Sequence, residues 1–200
     1  MMQAGNHNKD RIIEILTNSF DDNKSTNWVV KNDKHRVSRI QKLMLYAYDL
    51  CEKQNGTHIS DDQNGAVIYD YPVTSKYTLV RLLKDISFIF NVIGPERLIK
   101  VLKREGYIKK HHPKENFIYL WFLGVSSEHQ GKGTGSKLLS ELVDVADKKK
   151  LSIYLETSNP RNLELYKRFG FSIYHEWNTD FIGFSIWFMR RDSKKSQLFF

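Results

Sequence analysis

The stretch that most constrains this chain runs from Asn116 to Lys150: "NFIYLWFLGV", then "SSEHQGKGTG", then "SKLLSELVDVADKKK". The first piece is nearly all apolar and rich in aromatic residues, which predicts a central strand buried on both faces. The third places Leu138, Leu139, Leu142, Val143 and Ala146 on one helical face. Lys148 to Lys150 close it, where cations offset the helix dipole. Between them, Gly131, Gly133 and Gly135 let backbone N–H groups converge with no Cβ in the way. A helix that begins there adds free N–H donors and a partial positive charge. With Lys132 beside them, these groups form a cradle for phosphate or pyrophosphate.

Spacing narrows the ligand. A nucleotide-triphosphate loop needs Ser or Thr directly after its Gly-Lys pair, and Gly133 occupies that place. A dinucleotide turn needs a glycine where Ser136 stands, and it turns directly after its strand. Here "SSEHQ" intervenes, although Glu156 does end the next strand as a ribose-binding acid would.

The pattern around this unit reads strand, helix, strand, helix, strand, strand from Asn116 onward. "LSIYLET" alternates as a strand. "NPRNLELYKRFG" reads as a helix with Asn159 as N-cap, Pro160 at its first position and Gly170 as its stop. "FSIYHEW" and "FIGFSIWFMR" form a terminal antiparallel pair. The first half is mostly helical. Ile12, Ile13, Leu16 and Phe20 give one stripe, and Val37, Ile40, Leu43, Met44, Ala47 and Leu50 a longer one. A short hairpin is expected around Asp61-Asp62, a helix over Lys76 to Asn91, and another from Pro95 to a stop at Gly106. The 200 residues suit one domain, 1–200, with a helix-rich half over 1–115 and a ligand-binding core over 116–200.

The net charge of +8 favours anionic partners, but the basic residues are scattered rather than set in a stripe, so nucleic acid is not expected. The single cysteine, Cys51, lies in an amphipathic pattern and reads as a small core residue in a reducing compartment. The sequence has neither an apolar leader nor a run of membrane-spanning length, so the chain reads as cytoplasmic with no membrane partner. His111-His112 lacks ligand spacing for a metal.

"LGVSSEHQGKGTGSKLL" resembles the acyl-CoA-binding signature Q/R-x-x-G-x-G/A of the GNAT acetyltransferases, with Gln130, Gly133 and Gly135 at its fixed positions. "LETSNPRNLELYKRFGF" resembles the family's second block, a strand followed by a helix carrying an Asn and a Tyr. The two cover Tyr119 to Phe171, in wording closest to the puromycin N-acetyltransferase-like branch. The resemblance implies an α/β fold: a mixed, mostly antiparallel twisted sheet, splayed between two central parallel strands and flanked by helices. The family's chains mostly open on a strand, and "MMQAGNHNKD" is too polar to read as one.

The resemblance also implies acetyl-CoA as co-substrate, with no metal. The pantetheine arm would lie along Leu123, Gly124 and Val125, and the pyrophosphate on Gln130, Gly131, Lys132, Gly133, Thr134, Gly135 and Ser136. Asn159 and Asn162 would contact the amide arm. Tyr166 would protonate the thiolate, and its ordinary pKa near 10 suits that role. The Val125 N–H would face the carbonyl oxygen where charge develops. Glu156, or one of His111 and His112, would take the amine's proton; adjacent residues on an extended chain point opposite ways, so one histidine at most faces the site.

The expected acceptor is the primary amine of a small molecule, with Trp28, Tyr46, Tyr48, Tyr69 and Tyr71 hinting at a closed apolar pocket. The alternatives are a protein or peptide N-acetyltransferase and a non-catalytic acyl-CoA-binding sensor. A monomer or homodimer fits equally well.

Overall fold

The computed structural model describes residues 1–3, 5–73 and 79–194. In chain order the strands and helices are β1 (Met2–Gln3), α1 (Lys9–Ser19), α2 (Lys24–Val29), α3 (Arg36–Cys51), β2 (Thr57–Ile59), β3 (Gly65–Asp70), α4 (Leu79–Phe88), α5 (Leu98–Lys110), β4 (Phe117–Val125), α6 (Thr134–Lys149), β5 (Ser152–Thr157), α7 (Arg161–Arg168), β6 (Ser172–Asn178) and β7 (Ser185–Arg191). They form a seven-stranded sheet in the order β1-β2-β3-β4-β5-β7-β6. Among the described residues β4 and β5 are its parallel pair, and every other neighbouring pair is antiparallel.

Alternation along the strands splits the core between two faces. Ala66 and Ile68 of β3 pack with Ile12, Leu16, Ile40 and Met44 from α1 and α3. Val67 and Tyr69 pack on the other side with Leu138, Leu139 and Leu142 of α6 and with Tyr166 of α7. The stripes expected for α1, α3 and α6 therefore hold, except that Val37 is exposed. Cys51 is buried in the core, as its pattern suggests.

Several expectations change. The polar N-terminus does contribute a strand, a two-residue edge paired with β2 at Met2↔Ile59 and Gln3↔His58. Gly106 does not stop its helix. α5 runs on to Lys110, because Ile108 is buried against Trp177 and Phe188 and holds the next turn in place. A glycine inside a helix costs about 1 kcal/mol, which that burial offsets. The short helix α2, capped by Asn23 Oδ1 accepting from Thr26 N, carries no sequence stripe to announce it. The stretch expected as helix over Lys76 to Asn91 is α4 plus a π-helical segment, Ile89–Ile93; residues 74–78 and the C-terminal "QLFF" lie outside the described residues.

Candidate active site

The seam between β4 and β5 sets the site. Their parallel pairing covers Phe117↔Ser152, Ile118↔Ile153 and Tyr119↔Tyr154, and then stops. β4 continues to Val125 against β3, and β5 continues to Thr157 against β7, so the two strands part. Ser126 N donates to Asn64 O, which makes that pair a hydrogen-bonded one. By alternation the next bonded pair is Gly124↔Ala66, and the backbone N–H and C=O of Leu123 and Val125 turn to the opposite edge, into the gap. Val125 O already accepts from Ser19 Oγ at 2.9 Å and from Gln130 Nε2 at 3.3 Å. Gly124 is held for packing: a Cβ there would stand 2.8 Å from Ser19 Oγ and 3.0 Å from Leu16 Cδ2 of α1.

At the end of β4 the loop delivers the glycines to the N-terminus of α6. Gly131 and Gly133 have φ of 76° and 90°, and a Cβ at either would meet nothing within 4 Å. Gly133 caps α6 with no side chain bonded to the first-turn N–H groups. These are the features of an open anion cradle. A Cβ on Gly135 would rest on Val125 and Leu123 side chains at 3.4 and 3.6 Å, so the helix start lies beside the free edge of β4. Lys132 is exposed. Lys137 Nζ is tied to Asp61 Oδ2 at 2.6 Å, and Thr134 Oγ1 to Asp62 Oδ2 at 3.4 Å, so the β2–β3 turn braces the helix start.

A cavity of about 590 Å³ runs from the gap toward the first-half helices. Leu123, Glu156, Asn162 and Tyr166 line it; Val125 and residues 130–136 do not. Tyr166 is 7% exposed and packs on Phe171, and burial pushes its phenol up to about 12. Asn159 is drawn elsewhere: its Oδ1 accepts from Arg161 N at 3.1 Å, while Pro160, expected at the first helical position, is itself the N-cap of α7.

Glu156 is buried in the cavity wall and holds two partners. Its Oε1 meets His112 Nε2 at 2.8 Å and its Oε2 accepts from Tyr119 OH at 2.7 Å. The two proposed bases are therefore one hydrogen-bonded unit. Burial, and then the charge of Glu156, raise the Tyr119 phenol well above its usual range, so it stays a donor. His111 points away, stacked on His175 at 4.1 Å. Tyr119 was not singled out from the sequence, because in an apolar strand its hydroxyl reads as an ordinary half-buried tip. Of the five first-half aromatics, Tyr46 lines the cavity; Trp28, Tyr48, Tyr69 and Tyr71 do not. The wall takes Phe20, Phe88, Trp121 and Phe122 instead. Among the described residues no group of three or more His, Cys, Asp or Glu is placed to hold a metal ion. No helix among them is long and apolar enough to cross a membrane.

Known proteins resemble this chain in part of its sequence and in its fold. Residues 98–171 match the model of the Acetyltransferase (GNAT) family. An uncharacterized N-acetyltransferase from Schizosaccharomyces pombe is 45% identical over 53 residues, which span 26% of this chain and 22% of that protein. A structure described as histone acetyltransferase HPA2 and related acetyltransferase, from Corynebacterium glutamicum, superposes with a TM-score of 0.67 at 18% identity, covering 96% of this chain and 94% of that one. Arylalkylamine N-acetyltransferase 2 from Aedes aegypti superposes with a TM-score of 0.63 at 16% identity, covering 96% and 97%. At such identities the structural likeness is one of fold. The parted parallel strands and the glycine-loop helix at their seam lie within the segment, residues 98–171, that is similar to the GNAT acetyltransferase family.

Proposed function

We propose that the whole chain is one acetyltransferase domain that moves the acetyl group of acetyl-CoA onto the primary amine of a small molecule. The observation that carries this is the free edge of β4. It turns the backbone groups of Leu123 and Val125 toward a gap with an anion cradle at one end and a buried carboxylate in its wall. An extended pantetheine arm would pair with that edge as an added strand does. The pyrophosphate would rest on the N–H groups of residues 130–136, and Asn162 would bond an amide of the arm. Asn159 is left to its bond with Arg161 N.

The reaction is direct transfer. The neutral amine attacks the thioester carbon, the carbon–sulfur bond breaks, and charge passes through the carbonyl oxygen, where the Val125 N–H would donate. The amine's proton goes to the Glu156–His112 unit, whose hydrogen bond fixes both groups in the cavity wall. The departing thiolate takes its proton from Tyr166, which lines the same cavity and stays protonated at working pH. Surroundings that are buried and partly apolar strengthen each of these contacts.

The test is to incubate the protein with acetyl-CoA and a panel of amines and follow free thiol. Thiol release that depends on the amine is expected. CoA binding with no release across the panel would leave a binding protein in place of a catalyst.

A further inference from the structure

We infer that the acceptor is an amine carried on a flat aromatic body, an arylalkylamine rather than a polyamine, an amino acid or a peptide. This rests on the acetyltransferase reading and names its acceptor class.

The inference begins with a bulge. β3 and β4 pair Ile68 with Phe122 but Tyr69 with Leu120, so Trp121 is an extra residue in β4. Side-chain alternation flips there: Ile118 and Leu120 pack toward α6 and α7, whereas Phe122 packs toward α1 and α3. Residues Tyr119 to Leu123 all line the one cavity, and the bulge puts the flip in alternation in the middle of that run.

Trp121 links a continuous run of rings. It is tilted against Tyr119 at 6.3 Å, stacked on Phe122 at 5.5 Å and edge-on to Tyr46 at 6.3 Å. Tyr46 stacks on Phe88 at 4.3 Å, and Phe122 meets Phe20 edge-on at 5.1 Å. All six rings line the cavity, and the first of them, Tyr119, is bonded to Glu156. The aromatic wall thus runs from the proposed base into the first-half helices. An amine placed at Glu156 has its body against ring faces, where an ammonium group also gains cation–π attraction before it loses its proton.

Carboxylates outnumber fixed cations in the same wall, Asp70, Glu105 and Glu156 against Arg104 and Lys109, so its charge balance does not favour an acceptor carboxylate. Arg104 is buried, with its terminal nitrogens bonded to Glu105 and Ser25 and its Nε left without a hydrogen-bond partner. Glu156 and Asp70 are carboxylates themselves. A second amine, as in a polyamine, would have to shed its water against rings.

The experiment compares 2-phenylethylamine and tryptamine with butylamine, spermidine, lysine and a dipeptide. Thiol release gives kcat/KM, and calorimetry on the CoA-saturated protein gives binding. The arylalkylamines are expected to lead by about tenfold or more in kcat/KM. In Trp121→Ala the phenylethylamine-to-butylamine ratio is expected to fall toward one, and in Trp121→Phe to stay within about threefold of the parent. Equal or better use of spermidine, lysine or the dipeptide overturns the inference and leaves the transferase standing. An unchanged ratio in Trp121→Ala also overturns it. If CoA binds and no amine releases thiol, the transferase reading fails, and the calorimetric preference alone decides the acceptor class.

Discussion

At the scale of single residues, the proposed chemistry depends on groups whose surroundings hold them in one protonation state. Tyr166 is buried, and desolvation disfavours its phenolate, so its pKa is pushed up to about 12. A raised tyrosine pKa means the neutral form persists from acid through strongly alkaline pH. Tyr166→Phe is therefore expected to lower kcat about 10²-fold with acetyl-CoA affinity near normal. The parent should show no alkaline loss of rate from this group below about pH 12. Steady-state kinetics across pH, with CoA titrated separately, checks both. Equal turnover in the two proteins would make Tyr166 a packing partner of Phe171 and nothing more.

At the scale of elements, α6 does two jobs: its apolar face fills the core and its open N-terminus faces the gap. A carboxylate in the first turn of a helix stabilises the helix by about 0.3–1 kcal/mol. Gly135→Asp should accordingly keep or slightly raise the melting temperature while weakening CoA binding more than tenfold, roughly, since the new charge repels a pyrophosphate. Calorimetry with CoA and a thermal melt separate the two effects, and unchanged affinity would sink the cradle assignment. This element was legible in the sequence because glycine spacing and helical periodicity are local signals. So were β4, β5 and α7. The bulge at Trp121 was not, because an extra residue in a strand is defined by the partner's register and leaves no mark in its own alternation. The Glu156 unit was legible only in part, since His112, Tyr119 and Glu156 come from separate parts of the chain and meet only when the sheet forms. The run of α5 past Gly106 was misread for a similar reason: tertiary burial of Ile108 outweighs a local breaker.

At the scale of the whole molecule, α6 and β7 are fastened by a bidentate ion pair, with Arg191 Nη1 and Nη2 at 2.8 and 2.9 Å from the Asp147 carboxylate. Arg191 holds the Asp147 carboxyl below its usual range. A depressed carboxylate pKa contributes stability above the ordinary value near 3.9, and this is lost as pH falls through the folded value. Arg191→Met should thus cost about 2 kcal/mol at pH 7, with the gap narrowing near pH 3. Denaturant midpoints at the two pH values measure it, and a constant gap would assign the cost to packing instead.

The seam between β4 and β5 has one more consequence. It divides the sheet once, and it divides the chain at the same place: β1 to β4 come from residues up to Val125, and β5 to β7 from Ser152 onward. A ribosome therefore finishes the first half-sheet, cradle loop following, before any of the second exists. During synthesis the inner edge of β4 waits unpaired, and when β5 arrives it closes only three residue pairs of it. The rest of that edge is left open by the order of assembly.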